Sequence, residues 1–213
     1  DDQTEWLQAH RIGLREARAR RTIFREGDTP DEIYVLLRGW ACRYKEVSGD
    51  RRQILSFLLP GNLTVPQALF PRPLRFSVKA VTDALLCRFR IADIHELIAT
   101  RPELGKQILT LFFRQSGVLD ERLADLGRRN AEERILHLLL HLHRRQSKRA
   151  SVDAGEGCDF PLRQDHIADA LGLTTVHVSR VIMGLRAKGL VVLERGRLIL
   201  PDQSAVQAIV ANV

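Results

Sequence analysis

The feature that most constrains the fold lies in residues 162–186, where small, turn-forming and aliphatic residues recur at a fixed spacing. Ala168 falls where two crossing helices must nearly touch, and Gly172 follows one helical turn later, where a tight turn needs a positive φ. Val178 and Val181 then take inward positions on a second helix. The spacing predicts a helix-turn-helix; the alternative is an ordinary helical hairpin that ends at a glycine.

The second predicted helix has two chemically different faces. Thr174 is expected to cap it, because a threonine hydroxyl at this position accepts a hydrogen bond from a backbone N–H of the first turn. The residues predicted to pack inward are aliphatic, namely Val178, Val181, Ile182 and Leu185. The residues predicted to face outward are Thr175, Val176, Ser179, Arg180 and Met183. Because such a face fits the major groove, double-stranded DNA is the predicted partner.

Length, charge and cysteine content suit this interpretation. The 213 residues suffice for two modest domains, each able to bury a core of its own. The formal net charge of +7 favours a polyanionic partner, although charge alone does not identify one. The three cysteines form no Cys-x-x-Cys pair, and the sequence shows neither a signal peptide nor an apolar run long enough to cross a bilayer. We expect a soluble, reduced, cytoplasmic protein that does not enter a membrane.

Residues 22–90 show the alternation that is typical of short strands, as at Ile33, Val35 and Leu37. Glycine-containing turns separate the apolar runs, so this part is predicted to form a small antiparallel barrel or roll. Helices are expected on both sides of it, over residues 5–19 and 92–99.

A long helix is predicted to begin behind Pro102, since proline suits the first turn of a helix. Its apolar residues step mostly by three and four, and they are Leu104, Ile108, Leu111, Phe112, Leu119, Leu123 and Leu126. This stripe predicts the seam of a homodimer, because a lone helix-turn-helix usually contacts half of a two-fold site. Packing of the stripe on the chain's own roll is the alternative, and Gln115 in the seam excludes neither.

The C-terminal part begins with a predicted helix over residues 131–145, capped by Asn130. A loose stretch is expected over residues 146–157, before the helix-turn-helix. Gly189 is expected to end the second helix of that motif.

A hairpin is predicted from residues 190–193 and 197–200, with Arg195 and Arg197 near its tip, and we call it the wing. The predicted fold class is therefore α+β. It comprises an antiparallel roll with flanking helices in residues 1–100, a long dimerisation helix in 101–128 and a winged helix-turn-helix in 129–213.

Several segments of this chain resemble the CRP/FNR family of bacterial transcription regulators, and the resemblance covers nearly the whole length. Those similar to the family's cyclic-nucleotide-binding type of roll are residues 24–28, 33–39 and 53–61. Those similar to its DNA-binding motif are residues 165–174 and 178–180. Those similar to a poorly characterised proteobacterial branch are residues 39–45, 126–135 and 176–178. The resemblance implies a homodimeric regulator of a palindromic operator, with RNA polymerase as a further candidate partner.

The roll departs from the family members that bind cyclic AMP. Where they carry a Gly-Glu pair for the ribose, this chain has Val65 and Pro66, and the paired Arg-Ser or Arg-Thr for the phosphate is also missing. We expect little or no cyclic AMP binding. Leu63, Arg72 and Arg75 remain candidates for contacts with a different effector, and a filled roll with surface arginines is the alternative.

Two further sensor chemistries of the family are not expected here. An iron–sulfur cluster needs four thiolates, and the chain has three cysteines, none near its start. Haem in the roll is not expected because no histidine occurs between His10 and His95. Cys42 and Cys87 are expected to be buried and inert rather than redox sensors. The histidines of the predicted helix 131–145 are expected to pack rather than to bind a metal.

Arg180 is the residue predicted to select the operator, since a guanidinium in the major groove can pair bidentately with guanine. Ser179 is expected beside it at a base edge. Val176 replaces the family's usual glutamate and offers only an apolar surface to a thymine methyl group. The residues expected to contact the DNA backbone are Thr174, Thr175, His177 and Arg197.

Two other classes of function compete with this one. An effector-sensing module that acts through a protein partner, without specific DNA binding, would retain the roll but would not need Arg180 or the wing. An enzyme is not expected, because the sequence has no glycine-rich phosphate loop, nucleophile elbow or metal-spaced set of histidines and carboxylates.

Overall fold

The structure is a computed structural model that describes residues 9–47, 51–103, 105–107, 110, 127, 129–150 and 157–211. The chain divides into two compact units, Asp1–Leu119 and Asp120–Val213. Within the described ranges, no helix has the length and apolar character needed to cross a membrane.

The described part of the first unit contains seven strands, a 3-10 helix over Pro66–Leu69 and a ten-residue α-helix, besides shorter helical pieces at residues 9–10 and after residue 101. The strands and the ten-residue helix are β1 (Arg11–Ala17), β2 (Thr22–Phe24), β3 (Glu32–Arg38), β4 (Ala41–Val47), β5 (Arg51–Leu58), β6 (Ser77–Ala80), β7 (Ala84–Arg90) and α1 (Ile91–Thr100). One sheet has the order β1-β7-β3 and the other the order β2-β6-β4-β5, and every pairing is antiparallel. Leu36, Val78 and Leu86 are completely buried in the core of this unit. The predicted roll and the helix after it are thus present.

The helix expected over residues 5–19 is wrong where the structure describes it. Only Ala9 and His10 are helical, and residues 11–17 form β1. This strand pairs antiparallel with β7, which lies far away in the sequence, and its burial alternates along the chain, with Ala17 buried and Leu14 exposed. Long-range strand pairing has overridden a local pattern that is compatible with a helix.

The predicted dimer seam lies outside the described residues. Residues 102–103, 105–107, 110 and 127 are helical. All seven apolar seam residues and Gln115 belong to the part that the structure does not describe.

The second unit is mainly helical. It contains α2 (Ala131–Ala150), β8 (Cys158–Asp159), α3 (Gln164–Leu171), α4 (Thr175–Ala187), β9 (Val192–Glu194), β10 (Arg197–Ile199) and α5 (Gln203–Ala211). Asn130 and Glu133 form a reciprocal cap at the start of α2, with Glu133 N donating to Asn130 Oδ1 at 3.0 Å and Asn130 N to Glu133 Oε2 at 2.8 Å. Such a box satisfies two backbone donors that would otherwise lack partners.

The loose stretch predicted from residue 146 is wrong over residues 146–150, where α2 continues to Ala150. Gln, Lys, Arg and Ala all have good helix propensity, and this segment contains neither glycine nor proline, so nothing in it ends the helix. Residues 151–156 lie outside the described part.

The wing forms the predicted hairpin, but its strands are three residues long instead of four, and its turn is one residue shorter than predicted. Glu194 pairs with Arg197, so Arg195 and Gly196 alone make the turn. Both have positive φ, 49° and 74°, as a two-residue type I′ hairpin requires.

Buried His143 gives the second unit a pH dependence. Its side chain is 1% exposed, and burial lowers the pKa of the imidazole below its ordinary value. The unfolded chain takes up a proton near pH 6.5, whereas the folded chain does so only at lower pH. We therefore expect the unfolding free energy to fall as the pH is lowered through this range.

The variant His143→Leu is expected to weaken that dependence, because it removes the titrating group while keeping a similar volume. Denaturant unfolding followed by circular dichroism between pH 7.5 and 5 would measure it. Parallel pH profiles for the two proteins would contradict the expectation.

Candidate DNA-binding site

The turn between α3 and α4 has the predicted geometry. Gly172 adopts the left-handed conformation, with φ 65° and ψ 34°, and its N–H donates to the carbonyl of Ala168. Ala168 itself is 4% exposed, so the small side chain is buried at the base of the turn. A side chain at Gly172 would be strained in this conformation, which explains why glycine is required there.

Helix α4 is held by its predicted cap and its predicted inner face. Thr174 Oγ1 accepts a hydrogen bond from His177 N at 3.2 Å. Val178, Ile182 and Leu185 are at most 2% exposed. Val181, which the sequence placed with them, is only half-buried, since it lies at the margin of this face.

The outer face of α4 exposes most of the side chains predicted for it. Thr175 and Arg180 are exposed, and Val176 and Met183 are 70% and 61% exposed. Ser179 is half-buried, as is His177 on the flank of the helix. The structure thus brings Arg180 between two apolar side chains on one helical surface.

The wing arginine Arg197 makes contacts inside its own unit. Its Nη2 donates to the carbonyl of Gly157 at 3.0 Å, and its Nη1 lies 3.8 Å from Asp159 Oδ1. The guanidinium therefore lies along β8, while half of the side chain stays exposed. Arg195, in the turn, is exposed.

Three contacts that no sequence pattern indicated help to position α4. Lys188, just after the helix, forms an ion pair with Glu132 of α2 at 2.6 Å. Arg134 Nη1 donates to the carbonyl of Leu171 at the end of α3 at 3.3 Å. Arg186 donates to the carbonyl of Leu193 in the wing. These partners are far apart in the sequence or lack a recurring spacing, so no local pattern identifies them.

The start of α3 carries a bidentate ion pair. Arg163 donates from Nε and Nη2 to the two carboxylate oxygens of Asp165, at 3.1 and 2.5 Å. These hydrogen bonds lower the pKa of Asp165 to about 2. The carboxylate consequently stays charged at the first turn of the helix, where negative charge is favourable.

The three candidate effector residues do not form one buried site. Leu63 is half-buried beside β3, and Arg72 and Arg75 are exposed. Arg43, which the sequence pattern did not single out, lies inside the roll and is only 7% exposed. Its place in segment 39–45 did not indicate burial, because an arginine in a strand is ordinarily expected to face solvent.

Arg43 connects the two sheets of the roll. It belongs to β4 in the four-stranded sheet, and its Nε and Nη2 donate to the carbonyls of Thr64 and Leu63 at 2.9 and 2.7 Å. The segment that holds these carbonyls is hydrogen-bonded to β3 of the other sheet, with Thr64 N donating to Tyr34 O at 2.8 Å. The guanidinium also lies 5.5 Å from the ring centre of Phe76.

All three cysteines are buried, each between 4% and 7% exposed. Burial raises the pKa of the Cys87 thiol and raises that of Cys158 to about 11. Both thiols therefore stay protonated and unreactive in the folded protein. Among the described side chains, no three His, Cys, Asp or Glu residues gather as metal ligands.

Two family models match the chain. The cyclic nucleotide-binding domain matches residues 14–101, and the Crp-like helix-turn-helix domain matches residues 133–209. Among solved structures, FixK2 from Bradyrhizobium japonicum aligns with this chain with a TM-score of 0.82 and 22% sequence identity. The alignment covers 94% of this chain and 98% of the FixK2 chain. At this identity the likeness shows the fold.

The function of this chain is compared with that of proteins of similar sequence. The nitrogen fixation regulation protein FixK of Bradyrhizobium diazoefficiens is 33% identical over 190 residues, which is 89% of this chain and 78% of the relative. The transcriptional activator protein FnrL of Cereibacter sphaeroides is 31% identical over 86% of this chain and 74% of the relative. These relatives are regulators of transcription rather than enzymes. The chain belongs to the CRP/FNR family and is a DNA-binding transcription regulator.

Proposed function

We propose that this regulator binds a two-fold symmetric operator as a homodimer and that Arg180 selects a guanine in each half-site. The observation that carries the proposal is the exposed guanidinium on the outer face of α4, a helix whose other face is buried. A planar guanidinium in the major groove matches the O6 and N7 acceptors of guanine. Ser179, one residue earlier, lies at the edge of the same surface.

The residues around the start of α4 serve to position the helix on the DNA backbone. Thr175 is exposed at the first turn, and His177 is half-buried on the flank. The Thr174 hydroxyl already accepts a hydrogen bond as the cap of α4. Its role is therefore to stabilise the first turn of the helix, where free backbone N–H groups can bind a phosphate. Arg197 stays within reach of a phosphate through the exposed half of its side chain.

The homodimer is proposed because of the size of the winged helix-turn-helix. One winged helix-turn-helix contacts only half of a two-fold site, and the apolar repeat over residues 104–126 has the spacing of a paired helix. RNA polymerase is the further protein partner that we propose. A module that acts through a protein without specific DNA binding is not favoured, because the helix-turn-helix model and the named relatives all belong to DNA-binding regulators.

For the roll, we propose that it binds no cyclic AMP and holds neither haem nor an iron–sulfur cluster. The filled-roll alternative is supported by Arg43, which spans the two sheets and engages the 63–64 carbonyls. The exposed positions of Arg72 and Arg75 also support it, because they leave the buried interior without a contribution from either.

Selection of bound sequences from random duplexes tests the proposed function. We expect an imperfect palindrome whose half-sites lie about one helical turn apart, since each recognition helix of a dimer enters a successive major groove. Sedimentation of the protein with and without the selected duplex gives the number of copies bound. Recovery of asymmetric or unrelated sequences, or binding of a single copy, would refute the proposal.

A further inference from the structure

The outer face of α4 carries two large apolar side chains that are exposed. Val176 at 70% and Met183 at 61% are the two most exposed large hydrophobic side chains in the described part of the chain. Both belong to α4, and both lie on the face opposite its buried residues. Single exposed hydrophobic residues are common on protein surfaces. Two of them on the outer face of one helix in a binding motif indicate a ligand that has apolar groups.

The spacing of the two side chains matches a run of base pairs. They are seven residues apart, which is nearly two helical turns, so they point in almost the same direction about 10 Å from each other. Arg180 lies between them on the same face. At roughly 3.4 Å per base step, this surface covers about three base pairs of a groove.

The chemistry of the major groove offers one apolar group, the C5-methyl of thymine. Valine has no hydrogen-bonding atom in its side chain, and the thioether of methionine is only a weak acceptor. Facing the amino group of cytosine or adenine, either side chain would leave a polar edge without a partner, which costs free energy. Facing a thymine methyl, either one buries apolar surface.

We propose that Val176 and Met183 select thymines on the two sides of the base pair that Arg180 contacts, by packing against their C5-methyl groups. This inference rests on the proposed function, namely that α4 enters the major groove. It assigns an operator rich in A·T pairs around a central guanine contact.

Replacing single thymines by uracil in the selected operator tests the proposal, because uracil keeps every hydrogen-bonding group and lacks only the methyl. At the contacted positions the wild-type protein is expected to lose affinity about three- to fivefold per half-site, the value of one buried methyl group. In Val176→Ala, the penalty at the valine-contacted position should shrink, and in Met183→Ala the same should hold at the other position.

The matched control is Val47→Ala, the same truncation at a 49% exposed valine in the first unit. This variant should keep the full uracil penalty at both positions. Two outcomes overturn the inference while leaving the proposed function intact: a palindromic operator with no thymine beside the Arg180 base pair, or specific binding that no uracil substitution weakens. If no duplex is selected at all, the proposed function fails and the inference fails with it.

Discussion

Replacing Arg180 with alanine is expected to remove the preference for the selected operator while leaving salt-sensitive binding to unrelated duplexes. The variant loses the bidentate contact with guanine, which is worth about 1–3 kcal/mol per half-site, or roughly fivefold to 150-fold in affinity. Binding to unrelated DNA depends mainly on phosphate contacts made elsewhere. Titration of operator and scrambled duplexes at several salt concentrations measures both quantities.

The variant Arg180→Lys separates the shape of the side chain from its charge. Lysine keeps the positive charge but not the planar fork, so it should lose most of the discrimination against the wrong base. If Arg180 served only as a phosphate contact, lysine would restore operator binding, and alanine would weaken both duplexes equally. Either result would contradict the proposal that Arg180 selects guanine.

Replacing Arg43 with methionine is expected to destabilise the first unit by about 2–4 kcal/mol. Methionine fills a similar space but leaves the carbonyls of Leu63 and Thr64 without the guanidinium donors, and a buried polar group that loses its partner costs about 1–3 kcal/mol. Both tryptophans of the chain lie before residue 41, so tryptophan fluorescence during urea unfolding follows this unit.

The matched control for Arg43 is Arg75→Met, the same substitution at an exposed arginine of the same unit. It should change the unfolding free energy by no more than about 0.5 kcal/mol.

Because the roll interior is proposed to be filled, saturating cyclic AMP should leave the midpoint of wild-type unfolding unchanged. A stabilising shift with cyclic AMP, or an Arg43→Met protein as stable as the Arg75→Met protein, would contradict the filled roll.

The sequence predicted best those features whose cause is local. Gly172 and Thr174 each act through their own backbone and that of the next few residues, so residue type and spacing were enough to place the turn and the cap. Gly196 placed the hairpin of the wing in a similar way, because glycine readily adopts a positive φ. The positive φ of Arg195 was not indicated by its residue type, since this conformation is uncommon outside glycine.

Features that depend on distant partners were missed. Residues 11–17 have a composition that a helix also tolerates, and only pairing with β7 makes them a strand. Arg43 is acceptable inside the roll because carbonyls some twenty positions later meet its donors. Glu132 and Lys188, which join α2 to the end of α4, are 56 positions apart. Such pairs become visible only when the chain is folded.

The burial of the three cysteines gives the protein internal reporters of opening. Cys42 and Cys87 belong to the first unit and Cys158 to the second, and all are shielded from solvent. A thiol reagent can modify each of them only when its surroundings open transiently. Labelling rates measured for each cysteine-containing peptide by mass spectrometry therefore distinguish opening of the roll from opening of the second unit. No cysteine has to be introduced by mutation.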